Sequence, residues 1–163
     1  MDVSKLSTNN WIAAGGGIVT FLAGFFPWFT YGESFFNVSQ SGFDAGIFAI
    51  LGILLTLAGA VILILKVMDI TDVKAQNLTA EQIAMVLAAV GAIFILLRLL
   101  FAPDGGFDIG VSRAWGGFLA FLASAATVGG AFLSGKDAGI GIPSADDFTG
   151  GGDDAPSGGA STF

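Results

Sequence analysis

The sequence predicts an all-α fold, a bundle of four transmembrane helices followed by a disordered C-terminal tail. Three observations predict it. Hydrophobic residues make up 54 % of the 163 residues and charged residues only 12 %, about half the charged share of an average soluble domain. Four nearly charge-free segments each reach the ~20 residues that cross a hydrocarbon layer about 30 Å thick. After Lys136 the composition turns abruptly to Gly, Ser, Asp and Pro. The mean hydropathy of +0.82 belongs to the same picture, because a soluble chain of this length needs more charge to cover its surface. The bundle is assigned to residues 1–135 and the tail to 136–163.

The first span runs from Trp11 to Phe29 and the second from Ala45 to Leu65, both without charge. The third, Ile83 to Ala102, carries a single charge, Arg98. The fourth runs from Ala114 to Leu133. The first is too long for a signal-peptide core, and the bulky Phe26-Pro27-Trp28-Phe29 flank offers no small-residue cleavage site. Pro27 kinks or ends that helix. Gly15-Gly16-Gly17 follows no strand and precedes no Lys-Ser/Thr, so it is no phosphate loop. Thr79-Ala80-Glu81-Gln82 fits a capping box at the start of the third helix.

Lipid tails are as apolar as Leu, so helix association in a membrane relies on close approach through small residues. Each span offers a four-residue ladder of them: Gly16, Thr20 and Gly24; Gly52, Thr56 and Ala60; Ala84, Ala88 and Ala92; Gly116, Ala120 and Ser124. The ladders favour a tight bundle, within one chain or between copies.

Lys5, Lys66, Lys74 and Lys136 fall on one side of the spans, Arg98 and Arg113 on the other. By the positive-inside rule the two termini and the middle loop are cytoplasmic, in a multi-pass plasma-membrane topology. Trp28, Tyr31 and Trp115 at the outer ends and Trp11 at the inner boundary suit the membrane–water interface. The outer loops share a phrase, Gly42-Phe43-Asp44-Ala45-Gly46 and Gly106-Phe107-Asp108-Ile109-Gly110. It is consistent with two tandem helical hairpins. Asp44 and Asp108 are also placed to supply N-terminal caps.

Arg98 is the one ionisable residue within a span. It lies about one turn from the helix end, where it can snorkel to the headgroups or pair with Glu33, Asp44, Asp104 or Asp108. Together with Arg113, Trp28 and Trp115, these two aspartates, Asp44 and Asp108, and Arg98 are the candidate structural or interaction residues. The chain has no Cys and no His. That excludes disulfides, thiol nucleophiles and Ser-His-Asp triads, and it removes the usual zinc ligands. No Asp or Glu falls inside a span, so the buried carboxylate of a proton relay is missing. No catalytic, cofactor-binding or metal-binding set is read, and no cofactor is expected. A net charge of −7 argues against nucleic acid. The tail carries Asp146-Asp147 and Asp153-Asp154 with too little apolar surface to order itself, and anionic lipid repels it toward the cytosol.

Ser4-Lys5-Leu6-Ser7-Thr8, the Gly-rich first span, Phe25-Phe26-Pro27-Trp28-Phe29 and Arg113-Ala114-Trp115-Gly116-Gly117 resemble the small four-helix integral membrane proteins of actinobacteria, which are mostly uncharacterised. The likeness covers about residues 4–135. Where those proteins often carry Trp-Asp in the first outer loop, this chain has Phe43-Asp44. The resemblance implies a plasma-membrane location and no activity.

The functional expectation is a non-enzymatic scaffold or accessory subunit of a cell-envelope complex. Its partners would be membrane lipids and either another protein or further copies of itself. The alternative is an oligomeric small channel or transporter component.

Overall fold

The computed structural model describes residues 6–32, 37–70, 78–102 and 111–143. Along the chain they form α1 (Thr8–Ala23), β1 (Pro27–Tyr31), β2 (Val38–Ser41), α2 (Ile47–Val67), α3 (Ala80–Leu100), β3 (Val111–Arg113) and α4 (Trp115–Asp137). Each helix lies antiparallel to its neighbours in the sequence. Gly52 meets Ile95 while Gly59 meets Ala84, and Gly16 meets Ala123 while Gly130 meets Asn9. The closest pairings are α2 with α3 and α1 with α4. Residues 6 and 143 therefore leave the bundle at one end. The three strands lie at the other.

Helix ends follow local chemistry. Ser7 caps α1, its hydroxyl accepting from the Asn10 backbone N–H. The expected box starts α3: the Gln82 N–H donates to Thr79 Oγ1 at 3.3 Å, and the Thr79 N–H donates to Gln82 Oε1 at 3.0 Å. Two helices close with a left-handed residue and paired backbone bonds, the Schellman arrangement. At the end of α4, Gly139 has φ +73°, and the Ile140 N–H donates to the Gly135 carbonyl at 2.8 Å. At the end of α2, Asp69 takes the same role with φ +54°, and the Ile70 N–H donates to the Leu65 carbonyl at 3.0 Å. Asp is among the few residue types with a side chain that adopt this conformation readily.

The first expected span needs correction. A helix through Phe29 does not form, because α1 stops at Ala23. Pro27 has no N–H to offer the Ala23 carbonyl four residues back. That carbonyl instead accepts from the Phe26 N–H at 3.2 Å and the Trp28 indole at 2.9 Å. At 16 residues, α1 is about 24 Å long. Among the described residues, three helices, α2, α3 and α4, are long and apolar enough to cross a membrane.

A second correction concerns the all-α expectation. Pro27–Tyr31 is the central strand of an antiparallel sheet ordered β2-β1-β3. Phe29, Thr30 and Tyr31 oppose Gln40, Ser39 and Val38 on one side and Arg113, Ser112 and Val111 on the other. The strands are short and come from separate loops, so no hydrophobic alternation long enough to read announces them.

The interior is lined with small residues. Ala13, Ala49, Ala84, Ala88 and Ala120 are fully buried, together with Thr20, Thr56, Ser124 and Thr127. Many large apolar side chains point the other way: Ile18, Leu22, Phe48, Leu54, Ile93, Phe118 and Leu122 are exposed, whereas Trp28, Phe29, Ile53, Leu63 and Ile95 are fully buried. The ladders pack within the chain. A Cβ at Gly91 would lie 2.7 Å from the Gly52 carbonyl oxygen, and one at Gly16 would lie 2.6 Å from that of Ala123. On α3 the buried series runs Ala84, Ala88, Gly91 and Ile95, with Ala92 only half-buried. The expected four-residue step there drifts by one position, as 3.6 residues per turn requires.

Buried hydroxyls are satisfied by helix carbonyls. Thr56 donates to Gly52 at 2.8 Å, Thr127 to Ala123 at 3.0 Å and Ser124 to Phe121 at 2.7 Å, each within its own helix. Thr20 reaches the Ala120 carbonyl of α4 at 3.5 Å. No buried side-chain nitrogen or oxygen among the described residues lacks a partner. At the open end, Ser134 donates to the Asn10 side-chain carbonyl, and Asn9 donates to the Asp137 carboxylate at 2.7 Å. These contacts tie the start of α1 to the end of α4.

Candidate functional site

The sheet end gathers a set of polar and aromatic residues into one layer. Its centre is β1. Two residues of β1, Pro27 to Phe29, advance against one of β2, Ser41 to Gln40, leaving Trp28 as the extra residue of a bulge. A bulge re-aims side chains that would otherwise alternate. Trp28 and Phe29 are accordingly both 0 % exposed although adjacent.

Trp28 is thus a core residue, which corrects its expected place at a membrane interface. Its ring is pressed against Gly42, where a Cβ would come within 2.6 Å of it, and it approaches Gly117 of α4. Its carbonyl accepts from the Ala114 N–H at 2.8 Å. One residue therefore ties together the end of α1, the turn before α2 and the start of α4. Trp115 is 57 % exposed and stacks on Phe26 with ring centroids 4.7 Å apart. Phe21, Phe25 and Phe43 form a second ring cluster, with centroids 4.9 to 5.7 Å apart.

Arg98 and Arg113 meet at the C-terminus of α3. Arg113 reaches back from β3, its Nε donating to the Leu99 carbonyl at 2.7 Å and its Nη2 to Leu100 at 3.2 Å. Arg98 donates from Nη1 to the Phe101 carbonyl at 2.6 Å and from Nε to the Ala45 carbonyl just before α2. Its guanidinium carbon sits 4.9 Å from the centre of the Phe29 ring. The last carbonyls of a helix lack intrahelical partners and carry partial negative charge, so two guanidinium groups there are electrostatically matched. Arg98 also links α3 to α2 and, through Phe29, to the sheet.

A polar chain runs along the sheet beside Arg98. The Tyr31 hydroxyl donates to Gln40 Oε1 at 2.6 Å, and Gln40 Nε2 donates to the Asp44 carbonyl at 2.6 Å. The Asp44 carboxylate accepts from the Ser41 hydroxyl at 2.5 Å. Burial pushes the Tyr31 phenol above its ordinary value, partly offset by the nearby Arg98 charge.

Asp44 closes the β2-to-α2 turn and caps no helix. The N-cap of α2 is Gly46, with φ +106° and no side-chain hydrogen bond. The Asp44 cap expectation is corrected on that ground: the left-handed turn at Gly46 separates the Asp44 side chain from the first helical N–H groups. Asp108, Glu33, Asp104 and the whole second copy of the repeated phrase lie outside the described residues, as does the tail from residue 144.

The structure therefore brings Arg98, Arg113, Trp28 and Asp44 into one layer. Sequence reasoning missed the sheet, the residues Phe29 and Gln40 that join it to the helices, and the part Tyr31 plays in it, having placed Tyr31 only as an interface anchor. The only signal for them was Pro27 in an aromatic run. Among the described residues no cluster of carboxylates or other ligating side chains suits a metal ion. In chemical terms the layer offers guanidinium donors, aromatic faces and an apolar rim. Comparison with family models, curated proteins and solved structures gave no match.

Proposed function

We propose that this chain is a four-crossing membrane protein acting as a non-enzymatic scaffold or accessory subunit of a cell-envelope complex. In this reading both termini are cytoplasmic and the sheet end faces outward. The observation that carries the membrane reading is the inverted distribution of side-chain size. Ala, Gly, Thr and Ser make up most of the buried positions, with Trp28, Phe29, Ile53, Leu63, Ile95 and Leu99 the large apolar residues among them, while many Leu, Ile and Phe side chains are exposed, as in a bundle solvated by acyl chains.

The short α1 fits as a crossing because β1 carries the chain onward past Gly24. At about 3.3 Å per residue, the first two residues of β1 supply the roughly 6 Å by which α1 falls short of the hydrocarbon layer, and Tyr31 lies beyond it. Lys66 and Lys136 lie at the end opposite Arg98 and Arg113, which supports a cytoplasmic assignment for the lysine end. The two arginines also have a structural role on the carbonyls of α3, so their presence at the outer end has its own cause. The resemblance to actinobacterial four-helix proteins supports a plasma-membrane site.

The scaffold reading rests on the rim of the sheet end. Phe25, Phe26, Phe101 and Trp115 are exposed there beside the carbonyl-bound arginines, a surface suited to a neighbouring membrane helix or envelope domain. The interior helices meet at backbone contact between Gly16 and Ala123 and between Gly52 and Gly91. A conducting path would then have to run between copies.

The test is purification of the full chain in a mild detergent, followed by identification of the proteins retained. A stoichiometric partner lost on Phe26→Ser/Trp115→Ser double substitution supports the scaffold. Solute flux in proteoliposomes of the purified chain alone replaces it with the channel. Recovery as a monodisperse particle without detergent removes the membrane reading altogether.

A further inference from the structure

A cleft of about 520 Å³ opens beside Arg98, between the start of α2 and the end of α3. Its size lies within the range of small-molecule sites. Gly46, Ile47, Phe48, Leu97 and Phe101 line it together with Arg98. The walls are apolar and face the outside of the bundle, since Ile47, Phe48, Leu97 and Phe101 are all exposed.

Among the described residues, Arg98 is the one charged residue of that lining. A guanidinium has five N–H donors. Two of them reach carbonyls, those of Ala45 and Phe101. The other three have no acceptor among the described residues. The carbonyl bonds and the Phe29 ring hold the group in place, so little side-chain entropy remains to be lost on binding. The first turn of α2, which no side chain caps, borders the same cleft and adds partial positive charge.

We propose that this cleft binds a phospholipid with an anionic headgroup. The phosphate accepts from the free face of Arg98, and an acyl chain lies along Phe48, Leu97 and Phe101. Charge complementarity selects the headgroup, and the continuous apolar wall selects a lipid over a soluble anion. This inference rests on the membrane reading above and goes beyond it.

The test is the melting temperature of the full chain in neutral maltoside micelles, with phosphatidylglycerol, phosphatidylcholine or inorganic phosphate added. Phosphatidylglycerol is expected to raise it by about 3 °C or more above phosphatidylcholine, and inorganic phosphate to leave it unchanged. Arg98→Gln and Leu97→Trp, which fills the cleft while leaving Arg98 in place, are both expected to abolish the difference. Arg113→Gln removes the same charge outside the cleft and is expected to keep it.

Should Arg98→Gln fail to fold, Leu97→Trp still decides. Equal shifts from the two lipids, a shift from inorganic phosphate alone, or a full shift in Leu97→Trp would each overturn the proposal. So would a lipid preference that emerges only in Asp104→Asn/Asp108→Asn, because the chain's own carboxylates would then be the occupant. A chain that needs detergent yet shows no lipid preference loses this site and keeps the membrane reading. A chain soluble without detergent loses the membrane reading itself.

Discussion

Two tryptophans that look alike in the sequence do different work. Trp28 is buried and donates to the Ala23 carbonyl, filling a position that Pro27 leaves without a backbone donor. Trp28→Ala should cost about 3–5 kcal/mol, the range for truncating a buried large aromatic. Trp28→Phe should lose less but leave the carbonyl with a weaker partner set. Trp115→Phe, at an exposed position, should stay within about 0.5 kcal/mol. Thermal unfolding in micelles checks all three, and equal effects at the two positions would contradict the assigned roles. Tyr31 offers a spectroscopic reading of the same layer, because it is the only tyrosine in the chain. Burial raises its pKa and Arg98 partly lowers it. Its phenolate absorbance should therefore appear above the usual pH of about 10, and Arg98→Gln should move it higher still. A pKa raised in the folded state means stability held below the unfolded value and lost as pH rises through the folded one. The Tyr31 contribution thus fades only in alkali.

At the scale of elements, helix contact is governed by which glycines face a neighbour. Gly129 and Gly130 are adjacent on α4 and opposite in environment. A Cβ at Gly129 meets nothing within 4 Å, whereas one at Gly130 would lie 2.6 Å from the Ala13 backbone nitrogen. Gly129→Ala should be neutral or stabilising by up to about 1 kcal/mol through helix propensity. Gly130→Ala should cost about 1–3 kcal/mol, because the overlap is with backbone and α1 must move away from α4. Melting curves of the pair test the α1–α4 packing directly. The small-residue ladders on α1, α2 and α4 were legible because each step of four returns near the same face. Their partners were not, since the pairing of α1 with α4 depends on how the whole chain closes. The sheet was illegible for a related reason. β3 is three residues long, and its pairing with β1 is set by bringing two distant helix ends together.

For the whole molecule, the antiparallel arrangement returns residues 6 and 143 to one end and lifts the sheet to the other. Compartment-sensitive reporters fused at Met1 and Phe163 should land together. One inserted between Ser34 and Phe35 should land on the opposite side. Agreement of all three would contradict the proposed threading. Truncation after Pro143 should leave the melting temperature unchanged, since the described contacts of the bundle end before it; a loss of several degrees would assign the tail a packing role.

Composition and spacing alone determined that most of the chain forms apolar helices, where small residues recur on them, and how α3 begins. These are local properties, fixed by hydropathy, periodicity and a four-residue capping pattern. Pro27 likewise marked locally where α1 ends. Only the tertiary structure decided that Trp28 turns inward, that the ladders close within one chain and that two arginines finish α3. Each of these depends on a donor meeting an acceptor, or a ring meeting a glycine, contributed by separate parts of the chain. Such meetings come into being only when the helices are packed.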